Sequence, residues 1–421
     1  MQHKEFKVEN IIETLGSTIK KDDLNKVTTF LTMLLAYTED SQMNIGFQAP
    51  SSTGKSFIAT EIARYFPEQD VIELAGCTPN ALLYDASNYN KEEDYYLVNL
   101  ERKIIIFMEQ PGTELLSKIR PLLSHDKKEL RFESTDPNKM KKRTAIIRGF
   151  CSVTFCTAGL RIDEQEATRF LLLSPDTDQE KLREAVMASM RKESNGEKFK
   201  FEIDSNPLRA ELKKRVRVIR DANVNNVIIP NEEIIIERYL KTIPVIKPRH
   251  QRDNKRLLGL IKAFALLNCF HRERKGDDII ANQTDIDIGF ELWGKISESQ
   301  ELNLSPYLCE FLKNIIIPTY NEALEKGDES GFGLDNVIGA TRSDIAKKAY
   351  QVTGKFLDAS YFRTQILPML VTAGVVREEQ SGTDRRNRLI IPNIDEYQKP
   401  EKIIEPKEIK PIQSDDDFIP F

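Results

Sequence analysis

The sequence predicts an α/β core, a mostly helical region after it, and a small C-terminal winged helix-turn-helix domain. Three observations predict this. First, a short apolar run, Met43–Phe47, leads into Ala49-Pro50-Ser51-Ser52-Thr53-Gly54-Lys55-Ser56. A helical stretch follows, with Ile58, Ala59, Ile62, Ala63 and Phe66 on one face and Pro67 as its stop. Second, apolar runs recur at 71–74, 103–108, 151–156 and 170–173, the pattern of strands covered on both faces. Third, two helical segments and two strand-like segments around a basic loop close the chain at 341–391.

The first unit carries the strongest chemical signal. Strand, A-x-x-x-x-G-K-S and helix form the context of a phosphate-binding loop, here with Ala49 in place of the usual first glycine. Backbone N–H groups of residues 51–55 at a helix N-terminus would cradle phosphates. The nucleotide-binding candidates are therefore Pro50, Ser51, Ser52, Thr53, Gly54, Lys55 and Ser56. Lys55 would reach the β- and γ-phosphates of ATP, and the Ser56 hydroxyl would bind Mg²⁺.

Composition bounds the alternatives. A chain of 421 residues is expected to hold two or three domains. With 30% charged and 40% hydrophobic residues it reads as a soluble globular protein. No apolar run reaches the ~18 residues a membrane span needs. The N-terminus lacks an apolar leader, so a cytoplasmic location is expected. The five cysteines include no C-x-x-C pair and the four histidines have no ligand spacing, so neither a disulfide framework nor a zinc site is expected. A net charge of −5 argues against wholesale coating of nucleic acid but permits local basic surfaces.

In chain order, residues 1–42 form a helical segment beside the core, which spans 43–175. Val71–Leu74 is a strand, and Thr78-Pro79-Asn80 can cap a short helix. Lys103–Met108 ends at Glu109, five apolar residues before an acid, the Walker B pattern. The expected Asp-Glu pair is replaced by Met108-Glu109. Glu109 then aligns either with the water-activating glutamate, the favoured register, or with the Mg²⁺-side aspartate followed by Gln110. Residues 113–123 form an amphipathic helix. A hairpin insert at about 128–148 pairs 129–132 with 143–148 and presents Lys139, Lys141, Lys142 and Arg143, bases suited to a phosphate backbone. Thr157, ending the next strand, is placed to sense the γ-phosphate. Arg169, just before another apolar strand, sits where an arginine finger acting on a neighbouring subunit belongs.

This order resembles the AAA+ ATPases, and within them the minichromosome-maintenance-like helicases of phages, plasmids and chromosomal cassettes. The segments Pro121–Asp126 and Ile147–Phe150 flanking the hairpin are also similar to that group. The resemblance implies a hexameric ring with ATP at subunit boundaries, Thr157 at sensor 1, Arg169 reaching the neighbour's γ-phosphate, and hairpins lining a DNA channel. Arg252, Lys255 and Arg256 are the sensor 2 candidates.

Residues 176–326 read as a helical lid with a basic helix at 209–220, and 327–335 as a linker. Residues 336–395 resemble a winged helix, with Arg363 on the recognition helix and Arg385 and Arg386 on the wing as DNA-binding candidates. Residues 396–421 read as a disordered tail with an acidic tip. The tip, Asp415, Asp416, Asp417, Phe418, Ile419, Pro420 and Phe421, resembles that of bacterial single-stranded-DNA-binding proteins. It implies host replication or repair proteins as partners. The expected function is an ATP-dependent DNA helicase or replication initiator on single-stranded or forked DNA, without a membrane partner. A helicase loader or remodeller, or a nucleotide-dependent DNA-binding regulator that does not translocate, is the alternative.

Overall fold

The computed structural model describes residues 4–84, 86–135, 141–160, 168–243, 245–329, 338–380 and 388–393. The expectations for Lys139, Arg385, Arg386 and the tail residues Asp415–Asp417, Ile419, Pro420 and Phe421 fall outside them.

The chain forms a mixed α/β structure around a parallel five-stranded sheet. Its strands are β1 (Ile45–Gln48), β2 (Val71–Leu74), β5 (Ile104–Phe107), β8 (Ser152–Thr157) and β9 (Leu171–Leu173), in the order β2-β5-β8-β1-β9. β1, β5 and β9 are buried along their whole length, which is why they read as unbroken apolar runs. Gly46 lets β8 approach β1, since a Cβ there would lie 2.9 Å from the Phe155 ring. The sheet alternates between two cores. Ile104 and Ile106 face one with Ile58 and Ile62, while Ile105 and Phe107 face the other with Leu115 and Ile119.

The first core is continuous with the N-terminal helices Val8–Gly16 and Asp23–Leu34 and with Pro207–Asp221, His250–Leu267 and Gln283–Glu301. The expected N-terminal and lid segments thus share one apolar interior with the sheet. A buried ion pair between Arg272 and Asp285 (2.6 Å) fixes the last of these helices, whose N-terminus Asp285 also caps.

A second sheet, β3-β4-β7-β6, holds the expected hairpin: β6 (Glu129–Thr135) pairs antiparallel with β7 (Lys142–Arg148). The other two strands, β3 (Tyr89–Asn90) and β4 (Tyr95–Asn99), form a shorter hairpin, and β4 runs parallel to β7. A third small sheet, of β10 (Val227–Ile228), β11 (Glu273–Lys275) and β12 (Asp278–Ile280), interrupts the helical region.

The C-terminal part has its own core. It packs helices from Pro306 onward, Arg342–Thr353 and a helical stretch from Ala359 to Thr372 against β13 (Ala340–Thr341), β15 (Arg388–Pro392) and β14 (Val376–Gln380). Thr341 caps the helix it precedes, accepting from Asp344 N (3.2 Å). Pro368, lacking an N–H, sits just after a π turn at Phe362–Ile366. This domain grips the main sheet. Tyr361 donates to Ala158 O, and Leu160 N donates to Gln365 Oε1 (3.2 Å). Leu160 itself is buried in the C-terminal core.

Candidate functional site

The loop 49–54 leaves the carboxyl end of β1 and enters the helix Lys55–Ala63. Ser52 and Gly54 both adopt the left-handed backbone conformation, with φ of 65° and 94°. That curls the loop over the N-terminus of the helix. Lys55, 8% exposed, folds back so that its ammonium donates to Ala49 O and Pro50 O, both at 2.7 Å. Burial lowers its pKa from the usual lysine value. Thr53 Oγ1 donates to Pro50 O (3.0 Å) and closes the loop on itself. A buried ion pair between Glu61 and Arg209 (3.0 Å), with Arg209 stacked on Tyr65, anchors the helix to Pro207–Asp221.

Strand register brings the remaining candidates to the same end of the sheet. Thr157 pairs with Gln48, and Phe107 with Phe155, so Glu109 continues β5 to the level of Thr157. Glu109 is exposed there. Met108 still belongs to the ladder, its N–H donating to Leu74 O (2.9 Å), and it packs on the core shared with the Lys55–Ala63 helix. Thr157 Oγ1 accepts from Gly159 N (3.0 Å), which ties it to the segment the C-terminal domain holds. Cys156 is a buried thiol that no motif in the sequence singles out. Alternation along β8 sets it in the first core and beside the Ser56 hydroxyl and the Lys55 ammonium, and burial pushes its thiol up to about 11. The period-two pattern of β8 was the available signal.

This end of the sheet suits a polyphosphate: exposed main-chain turns at a helix N-terminus, one lysine and one serine hydroxyl. Among the described residues no group of three acids, histidines or cysteines could hold a metal by itself. A Mg²⁺ here would therefore share its ligands between Ser56 and the phosphates it accompanies.

Arg169 lies at the other end. β9 pairs with β1 in parallel, Ile45 opposite Leu171, so Arg169 stands level with Met43. Ala49 is six residues further along, about 20 Å at ~3.3 Å per residue. Arg169 Nε donates to Ser124 Oγ (2.9 Å). Arg256 is buried against the same turn, donating to Thr168 O and Phe170 O (2.9 and 2.7 Å), and Arg252 contacts the Thr168 hydroxyl. The sensor 2 candidates thus gather around Arg169, away from the 49–56 loop. One cavity of about 580 Å³ collects Arg169, Arg252, Lys255, Arg256 and Lys262, with His125 beside them. Burial holds the His125 imidazole down at about 4.

The hairpin bases divide. Lys141 and Lys142 are exposed, Lys142 meeting Glu133 across the strands at 2.7 Å. Arg143, expected at the DNA-facing tip, is turned inward. It shares a face with the buried Ala145 and Ile147, and its guanidinium lies 3.9 Å from the Tyr84 ring centroid and 4.8 Å from that of Tyr96. Arg363 is exposed on the helical stretch whose Tyr361 and Gln365 hold residues 158–160. Part of the expected recognition helix is therefore occupied by the segment that follows β8.

If the chain is the DNA motor its sequence predicts, neutralising Lys139, Lys141 and Lys142 together spares basal ATPase, stops strand separation, and flattens the salt dependence of DNA binding. Three lost phosphate contacts on single strands correspond to a slope change of about 2. Arg143→Ala should instead lower the melting temperature. Unchanged strand separation in the triple variant would make the hairpin a solvated turn.

No helix among the described residues is long and apolar enough to cross a membrane. In comparison with known proteins, no family model and no curated sequence matches the chain.

Proposed function

We propose that this chain is an ATP-hydrolysing motor of the AAA+ type that works on single-stranded or forked DNA as a ring of identical copies, as a helicase or replication initiator of a phage or mobile element. The observation that carries this reading is the separation of its parts. The candidate phosphate loop and Glu109 stand at the carboxyl end of the sheet, while Arg169 stands about 20 Å away at the amino end, as the register of β1 with β9 requires. An arginine so placed cannot complete the site of its own chain.

Within that site Lys55 neutralises charge on the transferring phosphoryl group, Ser56 holds Mg²⁺, and Glu109 orients the attacking water. A Mg²⁺ held by Ser56 would supply charge neutralisation for the bound phosphates. The ladder bond of Met108 supports Glu109 as the water-orienting residue, because Met108 takes the sheet face shared with the Lys55–Ala63 helix.

Met108 also supports a second reading. It leaves that face without the carboxylate usual for Mg²⁺, which suits a slow nucleotide switch that loads or remodels rather than translocates. DNA-stimulated ATPase together with strand separation on forked DNA distinguishes the two. A motor shows both activities, a switch shows turnover alone, and a protein with neither refutes both. Glu109→Gln is expected to bind ATP and stall hydrolysis by about 10²-fold or more. Normal hydrolysis in Glu109→Gln, with loss in Gln110→Ala, would move the acid to the Mg²⁺ side.

A further inference from the structure

A chain of hydrogen bonds wires the carboxyl end of the main sheet to the C-terminal domain. It starts at Gln365, whose Oε1 accepts from Leu160 N (3.2 Å). Leu160 O accepts from Gln48 Nε2 (3.4 Å), and Gln48 O accepts from the Ser174 hydroxyl (2.6 Å). The Ser174 oxygen accepts in turn from Tyr307 N (3.0 Å), which returns the chain to the C-terminal domain. Gln48, Leu160 and Ser174 are buried, so breaking one link leaves a polar group short of its partner away from water.

Two parts of the candidate site hang from these links. Gln48 ends β1 and precedes Ala49, whose carbonyl accepts from the Lys55 ammonium. Leu160 ends a short turn that begins at Thr157. Thr157 Oγ1 accepts from Gly159 N (3.0 Å), the turn in which the main chain two residues on fixes a threonine hydroxyl. With its oxygen held there, the hydroxyl can give its proton to Gly159 O at 3.3 Å or to a phosphate seated in the loop. A Cβ at Gly159 would lie 3.4 Å from Thr157 Oγ1 and 3.9 Å from Gln365 Oε1, so the glutamine stands against the turn itself. The Leu160 side chain is sunk in the C-terminal core, and Tyr361, on the same helical stretch as Gln365, donates to Ala158 O. Residues 158–160 thus take their positions from the C-terminal domain as much as from the sheet.

We infer that Gln365 is a positioning residue for Thr157: by holding Leu160 N it fixes the turn whose Gly159 N–H sets the Thr157 hydroxyl, so hydrolysis depends on the C-terminal domain being seated on residues 158–160. Gln365 acts through this main chain and not on the nucleotide. The role rests on the ATP hydrolysis proposed above for the 49–56 loop and adds its regulation. A ligand that draws the 359–372 helical stretch away from the turn lowers turnover without entering the nucleotide site, and bound nucleotide in return disfavours that ligand.

The test is steady-state ATP hydrolysis by the full chain, with melting followed by circular dichroism. Gln365→Ala removes the acceptor, and Gln365→Glu keeps an oxygen for Leu160 N. Gln365→Ala should lower kcat by about 10- to 10²-fold, toward the loss that a ~1 Å misplacement brings. KM and the affinity for a fluorescent ATP analogue should stay unchanged, because the 49–56 loop and Lys55 are intact. Gln365→Glu should restore most of the turnover. Arg342→Ala is the control. It breaks an ion pair with Glu378 inside the same domain (2.8 Å) and should leave kcat unchanged whatever it does to the melting temperature.

An unaltered kcat in Gln365→Ala, beside a wild type that hydrolyses ATP, would overturn the positioning role and leave the proposed hydrolysis standing. So would a rise in KM in place of the fall in kcat, or a Gln365→Glu chain as slow as Gln365→Ala. A fall shared with Arg342→Ala and tracking the melting temperature would make Gln365 a structural contact only. A wild type without turnover refutes the proposed hydrolysis, and this role with it.

Discussion

Lys55→Ala should lose ATP turnover by about 10²–10³-fold or more, the scale seen when a preorganised charge-stabilising group is removed from an active site. The reason lies in how the side chain is held. Its ammonium is buried and donates to the carbonyls of Ala49 and Pro50, so it is already aimed into the curl of the loop. A phosphate seated there replaces carbonyl oxygens with a charged acceptor, which makes a shorter and stronger bond. Truncation removes the charge and leaves two carbonyls to find other donors, at about 1–3 kcal/mol for each that stays unpaired. Lys55→Arg should also be poor, because a planar fork does not fit where a compact ammonium points at two oxygens. Steady-state turnover and the affinity for a fluorescent ATP analogue check both. Wild-type turnover in Lys55→Ala would show that the 49–56 loop is not the site of hydrolysis.

Arg169→Ala should keep nucleotide binding and lose hydrolysis, by about 10³–10⁵-fold if the guanidinium stabilises transition-state charge as arginine fingers do. Binding survives because Arg169 lies level with Met43 and takes no part in the loop of its own chain. The substitution also removes the bond to Ser124, so the melting temperature should be measured alongside. A loss of turnover that tracks a loss of fold would point to a structural role at the cavity with His125 and Phe150.

Much of this arrangement was legible in the sequence wherever local chemistry decides structure. Ile104–Phe107 reads as a buried strand because a packed core covers each of its faces. Thr113–Leu123 reads as a helix from its spacing, and it buries Leu115, Leu116, Ile119, Leu122 and Leu123 on one side. Gly54 carries its own backbone requirement.

What escaped depends on partners distant in sequence. The strands at 89–99 are short, and the charged turn Lys91-Glu92-Glu93-Asp94 between them hides their pairing with β7. Arg143 looks like a free base until Tyr84 and Tyr96 are brought against it. The hold of Tyr361 and Gln365 on residues 158–160 links segments some two hundred positions apart. No local periodicity encodes such contacts. The placement of Arg169, Arg252 and Arg256 at one end of the sheet likewise follows from strand order, which the sequence does not display.

The central claim, one catalytic site made by two copies, is tested most directly by mixing Lys55→Ala and Arg169→Ala chains and following ATP hydrolysis against mixing ratio, with subunit exchange shown by a labelled chain. The claim predicts no turnover from either variant alone and a maximum in the mixture, where an intact loop on one copy meets an intact Arg169 on the next. A flat line at zero across all ratios, with exchange demonstrated, would contradict it.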